Sequence, residues 1–232
     1  MTAPQRVDRS ARHTSLILAG AGESLRMDGI DKVFAPLGGH PLIYWPLRAA
    51  QDCNLIDQIL IVLSAKNIER GRSLVREYGF AKVTEVYEGG TRRQDSVRVG
   101  LSKVSGCEWV LVQDAARPFL DYSLIERGLA AARETGAALA AVPVKDTVKV
   151  AGADMFISST PDRAKLWAAQ TPQVFLFDII ARAYDLDVEA TDDAALVEQL
   201  GIKVRIYQGS YDNIKVTTPE DLARAELILK RR

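Results

Sequence analysis

The sequence contains little cysteine: Cys53 and Cys107 are the only two in a chain of 232 residues. They lack the spacing of a metal-binding motif, and two cysteines cannot build the disulfide framework of a small secreted protein. We therefore predict two neutral thiols in a reducing cytoplasm. Long apolar stretches are missing as well. No run approaches the ~18–20 residues that a transmembrane helix requires, so no membrane partner is expected.

The sequence also lacks an excess of charge of either sign. Lys and Arg together number 30, as do Asp and Glu, whereas proteins that bind nucleic acid over a broad surface are usually basic. No nucleic-acid partner is therefore expected. Residues 1–14 are polar and basic without the apolar core of a secretory signal, which predicts a flexible N-terminal tail. A single cytoplasmic domain is predicted at 15–232.

Short apolar runs alternate along the chain with segments that have helical spacing. This alternation predicts a doubly wound, mostly parallel α/β sheet, whose ligands bind at the carboxyl ends of the strands. The predicted strands are 16–18, 56–63, 83–86, 108–113, 137–144 and 203–207. The predicted helices are 41–52, which Pro46 should kink or shorten, 67–78, 91–104, 122–135, 176–185, 192–200 and one that begins at Thr218-Pro219.

Residues 145–168 break this alternation. Polar and apolar residues alternate there around Ala151-Gly-Ala-Asp154, a pattern that is typical of a β-hairpin. Because an uncovered sheet edge tends to pair with another chain, we predict a projecting β-arm that contacts a second subunit.

The first motif with chemical potential follows the first predicted strand. The turn at residues 20–22 (Gly-Ala-Gly) lets a ligand approach the backbone, whose N–H groups can hold an anion, and Arg26 and Lys32 add positive charge nearby. The motif predicts a cradle for a polyphosphate, with a purely structural turn as the alternative. It is not a dinucleotide fingerprint, because the third glycine is absent. It is not a P-loop either, because Gly-Lys-Ser/Thr is absent.

Three further polar clusters lie near predicted strand or helix ends. The segment Glu88-Gly-Gly-Thr-Arg-Arg-Gln-Asp-Ser96 offers backbone amides and a hydroxyl to a sugar or base, or is simply a capped helix start. Asp114, in Asp-Ala-Ala-Arg-Pro, directly follows a strand and is placed to hold a divalent cation or a ligand hydroxyl; alternatively it caps the next turn. Lys215, in Asp-Asn-Ile-Lys, precedes the last helix and is otherwise a surface lysine.

The order of the motifs is more specific than any one of them. The motifs are Leu-Ala-Gly-Ala-Gly-(x)3-Arg-Met, Gly-Gly-(x)2-Arg-(x)2-Ser-Val, Asp-Ala-Ala-Arg-Pro, Asp-Thr-Val-Lys, Thr-Pro-Gln and Asp-Asn-Ile-Lys-Val-Thr-(x)-Pro-Glu-Asp. Over residues 15–229 the chain resembles the 2-C-methyl-D-erythritol 4-phosphate cytidylyltransferases of the non-mevalonate isoprenoid pathway. The resemblance implies a Rossmann-like nucleotidyltransferase sheet and transfer of CMP from CTP to methylerythritol phosphate, with Mg²⁺ and release of pyrophosphate. It also implies a homodimer held by the β-arm.

The resemblance further implies the site, residue by residue. Four catalytic residues are expected to stabilise phosphate charge: Arg26, Lys32, Arg163 and Lys215. The residues expected to bind the nucleotide are Gly20, Ala21, Gly22, Gly90, Thr91, Ser96, Asp114 and Ala115. The sugar phosphate is expected at Asp114, Arg117, Thr147, Arg163, Thr171, Thr191 and Lys215, and the metal at Asp114. Because the attacking phosphate oxygen is already an anion, no histidine base is required.

The chain departs from the family pattern in the first loop. Asp31 stands where the family usually has proline, and the Arg26–Lys32 spacing is one residue short of some members. The loop geometry is therefore predicted to differ, and the Asp31 carboxylate to lower the positive potential beside Lys32. Thr91 and Gln113 stand where aspartate and histidine are common, which removes no charged catalytic group.

Two other functions remain open at this point. A sister cytidylyltransferase that uses ribitol 5-phosphate has the same fold, although Asp146-Thr-Val-Lys is more similar to the methylerythritol enzymes. The second alternative is a non-catalytic nucleotide-binding domain. The presence of Arg26, Lys32 and Asp114 argues against it, because a decayed site usually loses its charges first.

Overall fold

The computed structural model describes residues 13–22, 31–186 and 188–232. Arg26 and most of the predicted tail lie outside these ranges. The strands are β1 (Thr14–Gly20), β2 (Pro36–Leu37), β3 (His40–Pro41), β4 (Gln58–Leu63), β5 (Val83–Glu88), β6 (Trp109–Asp114), β7 (Ala137–Pro143), β8 (Val150–Ala151), β9 (Ile157–Ser159), β10 (Trp167–Leu176) and β11 (Arg205–Gln208). The α-helices are α1 (Tyr44–Asp52), α2 (Ile68–Tyr78), α3 (Arg93–Lys103), α4 (Tyr122–Ala132), α5 (Phe177–Tyr184), α6 (Asp193–Glu198) and α7 (Pro219–Leu229).

The central sheet has seven strands in the order β11-β7-β10-β6-β1-β4-β5. Neighbouring strands are parallel except for β10, which runs antiparallel to both β6 and β7. The chain first builds outward from β1 through β4 to β5 and then returns to the other side of β1 with β6. The predicted doubly wound, mostly parallel sheet is confirmed. Its strand order reverses between β1 and β6, where such folds bind ligands.

Strand β10 is the strand of the central sheet that the sequence does not predict. Pro172 argues against a central strand, because proline donates no hydrogen bond to the ladder. The structure accommodates this proline where the pairing with β7 shifts register, between Ala169 and Gln173. The helix predicted at 176–185 follows directly as α5.

Helices cover both faces of the sheet. Leu16 and Leu18 pack in a cluster with residues of α1, α2 and α4, whereas Ile17 packs in a second cluster with residues of α3, α5 and α6. Strands covered on both faces are apolar at nearly every position, which explains the continuous apolar runs. A third cluster packs Ala225 and Ile228 of α7 with Leu37 of β2 and Leu42, which follows β3.

The helix starts follow local rules. Pro46 lies in the first turn of α1, where its missing N–H is tolerated, and the helix begins at Tyr44 rather than at residue 41. Thr218 caps α7 by accepting a hydrogen bond from the Asp221 N–H, and Pro219 takes the first helical position. The predicted start of α7 is confirmed, whereas α1 is shorter than its predicted range, as expected from Pro46. Among the residues that the structure describes, no helix is long and apolar enough to cross a membrane.

The segment between β7 and β10 carries the hairpin formed by β8 and β9, which pair antiparallel. Its tip exposes large apolar side chains: Met155 is 82% exposed, Phe156 76% and Ile157 63%. The hairpin predicted at 145–168 is therefore present but shorter, from Val150 to Ser159, with an apolar surface at its end, and Trp167 and Ala168 belong instead to β10.

Candidate active site

The turn after β1 lies at the rim of the sheet beside the end of β6, because Ala19 and Asp114 are paired across these parallel strands. A Cβ atom on Gly20 would lie 2.9 Å from Leu63 Cδ2 and 3.0 Å from Ala115 Cβ. Only glycine allows so close an approach to the sheet. A Cβ on Gly22, by contrast, would meet no described atom within 4 Å. The turn is therefore anchored at its first glycine and open at its second.

The loop before α3 packs against this turn. A Cβ on Gly89 would lie 2.6 Å from both Ala21 Cβ and Ser96 Oγ. Ser96 is buried, and its hydroxyl donates to the Arg92 carbonyl at 3.2 Å. The two glycine-containing loops thus form adjacent walls of one cleft, as their positions at strand ends predict.

Asp114 is the centre of the site. Its buried carboxylate lies 2.7 Å from Lys215 Nζ, 2.9 Å from Arg93 Nε and 3.7 Å from Arg117 Nε. Burial alone would raise the pKa of Asp114, but the positive charges of Arg93 and Lys215, with their hydrogen bonds, outweigh burial and hold that pKa well below its usual range. Asp114 is therefore a fixed anion that holds cations from three different segments.

Arg93 is the site residue that the sequence reasoning missed. Its Nη1 and Nη2 donate to the two carboxylate oxygens of Asp193 at 3.1 and 2.8 Å, while Nε donates to Asp114. Asp193 is fully buried and also accepts a 2.5 Å hydrogen bond from the Tyr184 hydroxyl. Burial would lower the pKa of Arg93, but the two carboxylates reverse this effect and raise it. Its signal in the sequence is the motif Gly-Gly-(x)2-Arg-(x)2-Ser-Val, in which Arg93 is the arginine.

The unpredicted strand β10 positions the other side of the site. Thr171 Oγ1 accepts the Asp114 N–H at 3.1 Å, and the Thr171 carbonyl accepts from Asn213 Nδ2 at 2.8 Å. Arg117 Nη1 in turn donates to the Asn213 carbonyl at 2.7 Å. The buried Asn213 therefore fixes the segment that carries Lys215 against β10.

Two adjoining clefts open around Asp114. The first is lined by Ala19, Gly20, Ala21, Gly22, Lys32, Val33, Arg93, Ser96, Asp114, Ala116 and Lys215. The second is lined by Arg93, Asp114, Arg117, Ala169, Gln170, Thr171, Gln173, Thr191, Asp192 and Lys215. Arg93, Asp114 and Lys215 belong to both, so the two clefts share one charged wall.

Ten of the predicted residues line one or both clefts, and five others within the described ranges line neither. Ala115 is buried beneath Gly20, and its N–H donates to the Ala19 carbonyl at 2.8 Å. Gly90 and Thr91 lie in the loop beside the first cleft. The other two, Thr147 and Arg163, are exposed in the segment that carries the hairpin, where Arg163 donates to the Lys145 carbonyl. These two residues are not brought to the clefts of their own chain.

The predicted metal site can be tested by comparing the side chains near Asp114 with the ligands that a metal ion requires. Within the described ranges, no group of three or more His, Cys, Asp or Glu side chains is arranged to hold a metal ion. Mg²⁺ commonly binds through one or two carboxylates together with substrate phosphates and water. A single carboxylate, Asp114, in a first cleft lined by a glycine turn and cationic side chains fits that mode of binding and does not fit an all-protein metal cage.

The fold and the site define a class: an α/β enzyme with paired, positively charged clefts at the switch point of its sheet, suited to two phosphate-bearing ligands. The sequence pattern of one family, 2-C-methyl-D-erythritol 4-phosphate cytidylyltransferase, matches residues 14–231. The chain belongs to this family, whose members are nucleotidyltransferases.

Individual relatives agree with this assignment. The chain is 48% identical to the 2-C-methyl-D-erythritol 4-phosphate cytidylyltransferase of Dehalococcoides mccartyi strain CBDB1, over 93% of this chain and 95% of the relative. It is 43% identical to that of Alkaliphilus oremlandii, over 94% and 96%. The fold is similar to the crystal structure of 4-diphosphocytidyl-2C-methyl-D-erythritol synthase from Anaerococcus prevotii, with a TM-score of 0.84, 30% identity and coverage of 95% and 99%. The cytidylyltransferase of Thermus thermophilus gives a TM-score of 0.74 at 32% identity, with coverage of 93% and 98%.

Proposed function

We propose that the protein transfers CMP from CTP to 2-C-methyl-D-erythritol 4-phosphate, giving 4-diphosphocytidyl-2-C-methyl-D-erythritol and pyrophosphate. The observation that carries this proposal is the pair of clefts that share Arg93, Asp114 and Lys215. Two substrates that react through their phosphates must meet at a common wall, and holding them there removes most of the entropic cost of the encounter. Family membership supports the identity of the two substrates.

The first cleft suits CTP. Its open glycine turn at 20–22 presents backbone to the phosphates, and Lys32 lines the same cleft. An oxygen of the substrate phosphate attacks the α-phosphorus in line, and pyrophosphate leaves from the opposite side. Negative charge grows on the leaving group, so fixed cations stabilise the transition state. We assign this role to Lys32 and to Arg26, which lies outside the described residues.

The base and ribose are assigned to the neighbouring loop. Ser96 lines the first cleft, and Gly90 and Thr91 lie in the loop just before α3, the helix that carries Ser96. Ala115 supports the turn from beneath rather than facing the cleft. Backbone and hydroxyl groups of this kind suit a nucleoside, because they supply directional hydrogen bonds without further charge.

The second cleft suits the sugar phosphate. Arg117, Thr171 and Thr191 line it together with the shared Lys215. Hydroxyl side chains match the polyol, and the lysine matches its phosphate. Lys215 now pairs with Asp114 at 2.7 Å, so it lies at the boundary where the attacking phosphate must approach the nucleotide.

Magnesium is the proposed cofactor, with Asp114 as its protein ligand. When bound, Mg²⁺ supplies charge neutralisation and orientation of the nucleotide phosphates. Asp114 suits this role because its pKa is held well below its usual range by Arg93 and Lys215 against the opposing effect of burial, so the ligand is ionised at neutral pH.

A homodimer is proposed from the β8–β9 hairpin. Its exposed Met155, Phe156 and Ile157 offer an apolar contact for a second copy. Arg163 and Thr147 lie on the segment that carries this hairpin, away from the clefts of their own chain. We propose that they complete the sugar-phosphate cleft of the partner. This arrangement accounts for their distance from the site in a single chain.

The decisive experiment measures pyrophosphate release from CTP with either sugar phosphate. We expect turnover with methylerythritol phosphate to exceed turnover with ribitol 5-phosphate, and the reverse order would refute the proposed substrate. A protein that binds CTP but releases no pyrophosphate with either acceptor would support the non-catalytic alternative.

Two variants test the roles within that assay. Lys32→Ala should lower kcat by about 10²-fold, the scale expected for a group that stabilises transition-state charge. Lys215→Ala should mainly raise the KM for the sugar phosphate. An effect of Lys215→Ala confined to CTP would contradict the assignment, and Lys66→Ala, at an exposed lysine outside both clefts, is the matched control.

A further inference from the structure

Lys32 reaches the first cleft from a 3₁₀ turn, Lys32–Phe34. The turn is firmly held on its C-terminal side. Val33 and Phe34 are buried, and the Val33 carbonyl accepts the Ile43 N–H at 2.9 Å. The position of the lysine backbone therefore depends on what holds the N-terminal side.

Asp31 caps the N-terminal side of this turn. One of its carboxylate oxygens accepts the Val33 N–H at 3.2 Å, and its carbonyl accepts the Phe34 N–H at 3.0 Å. The other carboxylate oxygen accepts a hydrogen bond from Asn67 Nδ2. The φ angle of Asp31 is −72°, within the range that a proline ring would impose. Side-chain hydrogen bonds here stabilise a conformation that proline would fix covalently.

Asn67 connects the cap to the sheet. It is buried, only 6% exposed, and lies just after the end of β4 at the same rim as the site. Its amide also donates to Ser64 Oγ at 3.1 Å, and its backbone N–H donates to the Ser64 carbonyl at 2.8 Å. A buried polar side chain with a fixed backbone makes a rigid support. The Asp31–Asn67 contact therefore joins the lysine turn to the β4 rim.

The contacts give Asp31 a role that the sequence does not predict. Besides carrying the negative charge that is expected to lower the positive potential beside Lys32, its two carboxylate oxygens accept hydrogen bonds from neutral N–H groups, and the exposed Lys66 lies beside one of them with Nζ 3.8 Å away. A carboxylate oriented in this way acts as a cap for the turn.

We propose that Asp31 and Asn67 are a positioning pair for Lys32, which they hold at the phosphate end of the nucleotide cleft. The inference rests on the proposed role of Lys32. Misplacement of a catalytic group by about 1 Å can cost up to about 10²-fold in rate, so loss of either partner should lower kcat rather than weaken substrate binding.

The test is a set of steady-state measurements on the full chain with CTP and methylerythritol phosphate. Asp31→Ala and Asn67→Ala should each lower kcat by about 10-fold or more, with the KM for the sugar phosphate changed less than about twofold. The double variant should be no slower than the worse single one, because both changes break the same contact. Asp31→Asn keeps one acceptor, for the Val33 N–H, but sets its NH₂ group against Asn67 Nδ2, so its kcat should fall about as far as that of Asn67→Ala.

Repeating Asp31→Ala in a Lys32→Ala chain distinguishes a loss of Lys32 positioning from a general disturbance of the active-site structure. Adding Asp31→Ala to it should cause no further loss of kcat, since the group being positioned is absent. The inference would be overturned if Asp31→Ala lowered kcat equally in the wild-type and Lys32→Ala chains. It would also be overturned if Asp31→Ala and Asn67→Ala each had a normal kcat while Lys32→Ala had a lowered one. Normal turnover of Lys32→Ala itself would instead refute its proposed role. Lys66→Ala, which removes only the exposed cation, should behave as wild type.

Discussion

Replacement of Asp193 by asparagine tests the charge network that the structure places behind the site. The Asp193 side chain is fully buried, and it receives two hydrogen bonds from Arg93 and one from the Tyr184 hydroxyl. Asparagine has nearly the same size, but its NH₂ group would face a donor of Arg93 or Tyr184. The variant therefore removes a buried anion and sets two donors against each other without opening a cavity.

The expected loss of stability on Asp193→Asn follows from the burial of the Arg93–Asp193 ion pair. Removing one partner of a buried ion pair typically costs about 3–5 kcal/mol. Arg93 is 27% exposed and keeps Asp114 at 2.9 Å, so we expect the lower end, about 3 kcal/mol. For a chain of this size each kcal/mol corresponds to about 2–4 °C in Tm. Thermal unfolding followed by circular dichroism should show a Tm lower by about 6–12 °C.

The matched control is an ion pair of the same length at the surface. Arg48 Nε lies 2.8 Å from Asp52 Oδ2, and both side chains are about half exposed. Such i,i+4 pairs contribute about 0.3–0.5 kcal/mol, so Asp52→Asn should shift Tm by no more than about 2 °C. If the Asp193 and Asp52 variants unfold within about 2 °C of each other, the buried network does not have the energetic role assigned to it.

Three further measurements test the site, the turn and the hairpin. Because the folded-state pKa of Asp114 is depressed, its contribution to stability is present above its unfolded-state pKa of about 3.9 and is lost as pH falls below that value. Urea unfolding of Asp114→Asn should therefore lose less stability than wild type on acidification, and parallel pH curves would contradict this. Gly20→Ala should destabilise by about 1–3 kcal/mol because its Cβ would meet Leu63, whereas Gly22→Ala should change unfolding by less than about 0.5 kcal/mol; equal values would refute the packing argument. Deleting 146–162 should give monomers of low activity by sedimentation and assay, and a fully active monomer would exclude a partner contribution.

The sequence predicts the elements whose signals are local. The buried strands around β1 and β6 appear as apolar runs, and Thr218-Pro219 identifies the start of α7. That Asp114 and the glycine turn share one rim of the sheet also follows from the sequence, because both lie at carboxyl ends of predicted parallel strands, whereas the pairing of β1 with β6 is seen only in the structure. Each of these features depends on residues that are close in sequence or on the general geometry of parallel sheets.

Two features could not be predicted because they depend on pairing between distant segments. Pro172 argues locally against a strand, yet β10 fits between β6 and β7 through a shift in register. Arg93 belongs to the motif Gly-Gly-(x)2-Arg-(x)2-Ser-Val, but only the structure shows its contact with Asp193, one hundred residues away, and so its position in the site. Local propensity carries no information about either partner.

By itself, then, the sequence determined a doubly wound sheet, a glycine turn at its rim and the order of motifs that indicates the family. The tertiary structure alone decided that two clefts share Arg93, Asp114 and Lys215, and that Asp31 caps the lysine turn and is held by Asn67. The physical reason is that the pattern of apolar residues along the chain determines which surfaces are buried. The direction of a charged side chain depends instead on opposite charges that folding brings within about 3 Å. The first loop departs from the family pattern at Asp31. The hydrogen bonds from the Val33 N–H and Asn67 show that this residue caps the turn that carries Lys32.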